Sequence, residues 1–174
     1  MSRFNDQYRN DSYRQKNWDY RTAGEYFVTI TTLGRIHFFG QIEQGIMKLN
    51  ELGAYADQCI NKINRYNKYA SISAHIVMPD HVHAIIHLQN SFSYYQPPRF
   101  GPLQIGSLSS VVNHFKGRVT KFSRIAVPQQ IIWQDLYYDH RIRNLEEYIR
   151  IKEYIRQNPI KWGKGKNPLN PNRD

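Results

Sequence analysis

Two pairs of residues combine a reactive side-chain type with a spacing that brings them to one surface. The first is His81 and His83, within the stretch from His75 to Leu88. Side chains alternate across a strand, so residues two apart leave the same face. Both imidazoles then stand close enough to hold one metal ion. Val82, Ala84, Ile86 and Leu88 form the opposite, apolar row, suited to packing on a helix. The competing reading is a pair of structural histidines satisfied by hydrogen bonds, and the spacing alone leaves both open. The second pair is Tyr154 and Asn158, four apart and hence neighbours on one helix face. They lie at the edge of that helix's apolar stripe, from which a tyrosine reaches the rim between helix and sheet.

These pairs need elements to carry them. Met78-Pro79-Asp80 reads as the turn feeding the histidine strand, because proline presets a turn dihedral and cannot serve a central ladder. The apolar run Ile72 to Met78 completes a hairpin. Upstream, Glu25 to Thr32 is β-branched and aromatic and reads as the first strand. Phe38 to Glu43 and Ile46 to Leu49, around Gly45, read as a short hairpin. Asn50 caps a helix whose apolar face is Leu52, Tyr55, Ala56, Cys59, Ile60 and Ile63, with Gly53 its weak point. Residues 107 to 124 form a second helix with Leu108, Val111, Val112, Phe115 and Val119 inside. Its other side is basic: Lys116, Arg118, Lys121 and Arg124. Ile131 to Tyr138 reads as a further strand. Asn144 caps the last helix, with Leu145, Tyr148, Ile149, Ile151 and Ile155 as its apolar stripe and Pro159 as its end.

Three segments read as extensions or loops. Residues 1 to 20 are an arm of interleaved arginines and tyrosines, equally a solvated tail or a surface for stacking and backbone contact on a single strand. Residues 89 to 105 are a Pro- and Gly-containing loop, and 164 to 174 a basic tail. Residues 21 to 163 are then a single domain.

Lys and Arg outnumber Asp and Glu by 24 to 14, giving a net charge of +10 and an isoelectric point near 9.7. Such a surface favours a polyanionic partner, most often nucleic acid, and the 13 tyrosines supply rings for stacking on bases. The single cysteine, Cys59, excludes an internal disulfide and a thiolate zinc cluster. No apolar run is long enough to span a membrane and the N-terminus lacks a signal-peptide core, so a reduced, cytoplasmic setting is expected.

The motifs together resemble a known family. His81-Val82-His83 after Met78-Pro79-Asp80 is similar to the His-hydrophobe-His motif of single-tyrosine transposases of the insertion-sequence-200 type. The strand Tyr26 to Thr32, Phe115-Lys116-Gly117, the run Trp133 to Asn144, and Tyr154-Ile155-Arg156-Gln157-Asn158-Pro159 match as well. The likeness covers roughly residues 17 to 163. It is strongest to the branch associated with repetitive extragenic palindromes (REP). It implies a ferredoxin-like α+β fold, an antiparallel sheet with the histidine pair on an inner strand and helices packed against it.

The resemblance further implies that His81, His83 and Asn158 hold a divalent metal, Mg²⁺ or Mn²⁺. Many relatives carry the longer Gln at the last place. Tyr154 would attack single-stranded or hairpin DNA, leaving a 5′-phosphotyrosyl link that a second 3′-hydroxyl reverses to rejoin strands. Tyr148 and Tyr154 are six apart and do not share a helical face, so one tyrosine acts. Asp80 and His87 are candidate supports behind the metal ligands. Lys116, Arg118, Lys121, Arg124, His140, Arg141 and Arg143 are candidate DNA contacts. A monomer is favoured over a homodimer.

Rival readings differ in class. A nucleotide hydrolase or transferase with three alternating histidines needs His at position 85, where Ile85 stands. A ferredoxin-like nucleic-acid-binding module would fit the charge and make the histidines structural. A domesticated transposase that only binds DNA lies between. Replication initiators and relaxases share the chemistry but carry further domains.

Overall fold

The computed structural model describes residues 21–89 and 106–162. The arm at 1–20, nearly all of the loop at 89–105 and the tail at 164–174 lie outside them. Among the described residues six strands and four α-helices follow in order: β1 (Gly24–Thr31), β2 (Gly40–Glu43), β3 (Ile46–Leu49), α1 (Glu51–Asn61), α2 (Ile63–Tyr66), β4 (Ala70–Met78), β5 (His81–Leu88), α3 (Leu108–Ala126), β6 (Tyr138–Arg141) and α4 (Leu145–Lys161).

Four strands form an antiparallel sheet in the order β4-β5-β1-β6, and β2 and β3 pair separately as a hairpin. Without that hairpin, the succession is strand, helix, two strands, helix, strand, with the first and third strands central. This is the ferredoxin-like arrangement that the resemblance implied. The histidine strand β5 is an inner one, paired on both sides.

Alternation along β1 and β5 divides the core in two. Tyr26, Val28, Ile30, Val82, Ala84, Ile86 and Leu88 pack with α1 and α3 into the larger cluster. Phe27 and Ile85, on the other face, pack with Ile142, Ile151 and Ile155 at the start of and along α4. Gly53 is a weak helix former, yet a Cβ there would sit 2.1 Å from the Phe39 carbonyl oxygen. Close approach of α1 to the chain before β2 therefore requires glycine.

Several sequence expectations change. The first helix breaks at Lys62 into α1 and α2. Ile131 to Tyr138 is not a strand; only Trp133 bridges to Thr32, beyond the end of β1. The sheet position beside β1 goes instead to β6, which begins at Tyr138. Helix α4 does not stop at Pro159 but continues to Lys161. Proline removes one backbone hydrogen bond, and the burial of Asn158 and Pro159 carries the helix through that loss. Finally, Leu145 and Ile149 are not buried: they are 72% and 57% exposed.

Candidate active site

The site grows from the junction of β1, β5 and α4. Register sets Thr31 beside His81 and Thr29 beside His83. The preceding turn is pinned from β1's end, since the Thr32 backbone N–H and hydroxyl both donate to the Asp80 carbonyl at 2.9 Å. His81 and His83 are 6% and 1% exposed. Buried polar groups need partners, and each ring has one on its far side. His81 Nδ1 lies 2.6 Å from Asp80 Oδ1, and His83 Nδ1 lies 2.9 Å from Thr29 Oγ1. A neutral His81 donates from Nδ1 to the carboxylate, which leaves Nε2 as a lone-pair donor.

The two Nε2 atoms face each other at 3.0 Å. From α4, the Tyr154 hydroxyl lies 3.4 Å from His83 Nε2 across a sequence separation of 71 residues. The Tyr154 ring packs edge-on against Phe27, with centroids 6.1 Å apart. Asn158, one turn further on and buried, hydrogen bonds with Tyr154. Burial pushes the phenol above its ordinary pKa, and the Asn158 hydrogen bond with the charge of Arg35 offsets only part of this. Burial also acts to raise Asp80. The hydrogen bond from His81 and the charges of His81, Arg35 and His37 outweigh it and hold the carboxyl below its usual range.

The residues fit a divalent ion. Two ligands about 2.1 Å from an ion and at right angles are themselves about 3.0 Å apart, which is the separation of the two Nε2 atoms. Two facing lone pairs also repel unless a cation or proton sits between them. Among the described residues no group of three His, Cys, Asp or Glu side chains is arranged to hold a metal ion. An ion here would thus be held by two imidazoles and neutral oxygen donors such as the Asn158 amide, leaving positions and net charge for phosphate oxygens.

Three further residues belong to the site but were not legible in the sequence. Arg35 Nε lies 3.2 Å from Asp80 Oδ2, with half of the side chain exposed. It follows Gly34, and both are left-handed, with φ of 62° and 60°. Such a backbone at a non-glycine residue is costly and marks a place to look for function. Trp162 lies near-parallel to the His81 ring, 6.1 Å between centroids, and edge-on to His37 at 5.6 Å. Their only sequence signal was charge or aromaticity near a turn or helix end.

Other candidates stand elsewhere. His87 shares the face of the histidine pair, but its Nδ1 lies 3.1 Å from Glu25 Oε1 at the far end of β5. It supports Glu25 rather than the paired imidazoles. His140 Nε2 lies 2.7 Å from Glu147 Oε1, tying β6 to the start of α4. Lys116 donates to the Gln134 and Asp135 carbonyls at 2.6 and 3.1 Å, and burial depresses its pKa. Arg118 lies over the Tyr66 ring at 4.6 Å. Lys121 and Arg124 are exposed, but α3 packs on the sheet face opposite the site. Arg141 is half-buried on β6, and Arg143 is exposed before α4.

No protein-family model matches the chain. A Haemophilus influenzae protein described as uncharacterized is 35% identical over 161 residues, spanning 87% of this chain and 88% of that protein. The chain belongs to the family of that protein. Among solved structures, a REP-associated tyrosine transposase bound to a REP hairpin superposes with a TM-score of 0.58 at 24% identity. The match covers 86% of this chain and 74% of that one. This chain therefore has the fold of that transposase. No helix among the described residues is long and apolar enough to cross a membrane.

Proposed function

We propose that this protein is a transposase-type enzyme that cuts and rejoins single-stranded DNA through Tyr154, with hairpin or palindromic DNA as its substrate. One observation carries the reading. The Tyr154 hydroxyl, His83 Nε2 and His81 Nε2 form a chain of contacts at 3.4 and 3.0 Å, drawn from two elements far apart in sequence. The fold shared with a hairpin-bound tyrosine transposase supports it, as does the net charge of +10.

Phosphodiester cleavage needs a nucleophile, neutralisation of phosphate charge and in-line placement. The phenol oxygen of Tyr154 forms a bond to phosphorus as the bond to the 3′-oxygen breaks. The phenol proton is lost and the departing 3′-oxygen gains one. The product is a 5′-phosphotyrosyl link with a free 3′-hydroxyl. Attack by a second 3′-hydroxyl reverses the balance and joins strands without another energy source.

A buried phenol of raised pKa ionises reluctantly, so its surroundings must favour the charged form during attack. The Asn158 hydrogen bond and the positive charge of Arg35 both act to favour that form. His81, His83 and Asn158 would hold Mg²⁺ or Mn²⁺, which when bound supplies Lewis-acid neutralisation of the phosphate. Asp80 and Thr29 fix the two rings that would carry it.

The test is incubation of the full chain with labelled hairpin DNA from the flanks of its own gene, with Mn²⁺, Mg²⁺ or EDTA. The expected result is a covalent protein–DNA band on a denaturing gel, abolished by EDTA and by Tyr154→Phe. Adducts that persist in Tyr154→Phe would remove the nucleophile assignment. Hairpin binding without any adduct would leave a DNA-binding module with structural histidines.

A further inference from the structure

The turn between β1 and β2 holds an arginine where a glycine would sit more easily. Gly34 and Arg35 are both left-handed, at φ of 62° and 60°. The turn cannot relax, because hydrogen bonds pin it on both sides. The Leu33 N–H donates to the Ile132 carbonyl at 2.8 Å and the Arg35 N–H to the Thr32 carbonyl at 3.2 Å. The Thr32 hydroxyl lies 2.8 Å from the Ile36 carbonyl. A residue with a Cβ keeps such a conformation only where its surroundings over-determine it, and such places cluster at binding and catalytic sites.

The ion pair with Asp80 does not account for the arginine. Arg35 Nε lies 3.2 Å from Asp80 Oδ2, and half of its side chain is exposed. Asp80 already has His81 Nδ1 at 2.6 Å from its other oxygen. Against the burial that raises the Asp80 carboxyl, the His81 hydrogen bond acts more strongly than the Arg35 charge. The guanidinium also has N–H donors beyond the one turned to Asp80, and no second carboxylate among the described residues pairs with it. Contact through Nε fixes its plane and leaves the outer edge for another anion. That edge belongs to the active-site end of the sheet. His37, two residues on and exposed, lies edge-on to Trp162, whose ring is near-parallel to His81. Burial raises the Tyr154 phenol, and the Arg35 charge is among the influences that oppose it.

We propose that Arg35 is a phosphate anchor, which grips one backbone phosphate of the strand within one nucleotide of the linkage that Tyr154 attacks and does so without any metal. The proposal rests on the reading that Tyr154 attacks single-stranded DNA, and it adds a contact that sets the strand in place before the chemistry. A planar guanidinium matches two phosphate oxygens with two parallel N–H bonds. Asp80 holds the other edge of the group, so the fork is placed before the strand arrives and less ordering is left to binding. His37 stands beside it as a further donor. Contacts of this kind fix register and carry no base preference.

The test is fluorescence anisotropy of the full chain in EDTA, with a labelled single strand from the flanks of its own gene carrying one uncharged methylphosphonate at a scanned linkage. One linkage is expected at which loss of the charge weakens binding about tenfold. In Arg35→Gly that penalty should fall below about twofold while penalties at other linkages stay. The unmodified strand should bind this variant about tenfold more weakly, with a salt dependence shallower by about 0.7 in log–log slope. Arg35→Gly should melt no lower than wild type, because glycine relieves the left-handed backbone. If it unfolds, Arg35→Asn takes its place with the same expected losses, since asparagine tolerates this conformation. A strand that binds only with Mn²⁺, or no linkage whose penalty depends on Arg35, overturns the anchor. Mn²⁺ is then added to the unmodified strand, and the length of the released piece maps the cut. An Arg35-dependent linkage more than one nucleotide from the cut also overturns the anchor. Adducts without any Arg35-dependent linkage sink the anchor alone, and an Arg35-dependent linkage without adducts keeps the phosphate contact and removes the nuclease reading.

Discussion

On β5, Val82, Ala84, Ile86 and Leu88 face α1 and α3 and are at most 1% exposed. On the same strand, His81, His83, Ile85 and His87 face the side covered by α4. One face is closed by two helices and is apolar throughout its core. The other is covered by one helix, whose small core of Phe27, Ile85, Ile142, Ile151 and Ile155 stops short of the buried histidine pair. Stability is therefore concentrated on the first face and polar chemistry on the second. A buried histidine with no carboxylate or hydroxyl behind it would be costly. Asp80 and Thr29 remove that cost and turn the two Nε2 atoms toward each other.

Substitutions on the two faces should separate these duties. The largest effect is expected for His81→Ala with His83→Ala. Loss of charge neutralisation worth several kcal/mol should lower adduct formation by about 10³-fold or more, with a melting temperature close to the wild type. Unfolding of that double variant would show that the histidine face also carries the fold. Next comes Phe115→Ala on the opposite face, where the ring is fully buried. It should cost about 3–5 kcal/mol in denaturant unfolding. A cost near 1 kcal/mol would mean that the α3 face is less tightly packed than its burial indicates.

Asp80→Asn should be smaller and should touch chemistry first. The support of a metal-bound histidine is typically worth about 10- to 100-fold in metal affinity or activity, readable as the Mn²⁺ concentration giving half-maximal adduct. An unchanged Mn²⁺ requirement would return His81 to a structural role. The smallest effect belongs to Glu147. It accepts from the Arg143 N–H at 2.8 Å while its own N–H donates to the Asn144 side chain, forming a reciprocal cap on α4. Burial acts to raise its pKa, but the Arg143 N–H, the His140 hydrogen bond and the charges of His140 and Arg150 hold it below its usual value. A carboxyl depressed in the folded state stabilises above its unfolded pKa, near 4.3, and that stabilisation is lost as pH falls through the folded value. Glu147→Gln should thus cost about 1 kcal/mol at pH 7. The difference from wild type should shrink below about pH 4; a constant difference would show that the charge is irrelevant to the cap.

The sequence by itself determined what local geometry controls. Alternation placed His81 and His83 on one face, because the strand repeat is two residues. Asn50 and Asn144 cap α1 and α4 as read, each accepting from a backbone N–H three residues on. Tyr154 and Asn158 meet because one helical turn separates them. Tertiary structure decided the rest. Leu145 and Ile149 have helical spacing for a core yet remain exposed, because the face of α4 that packs on the sheet carries Tyr148, Ile151, Tyr154 and Ile155 instead. Trp133 failed to start a strand because the edge of β1 goes to β6. Arg35 reaches Asp80, and Trp162 reaches His81, only through a left-handed turn and a helix that outruns its proline. The contact between Tyr154 and His83 spans 71 residues. Periodicity shows which face a residue takes, but only the packing of α4 on the sheet shows which faces meet.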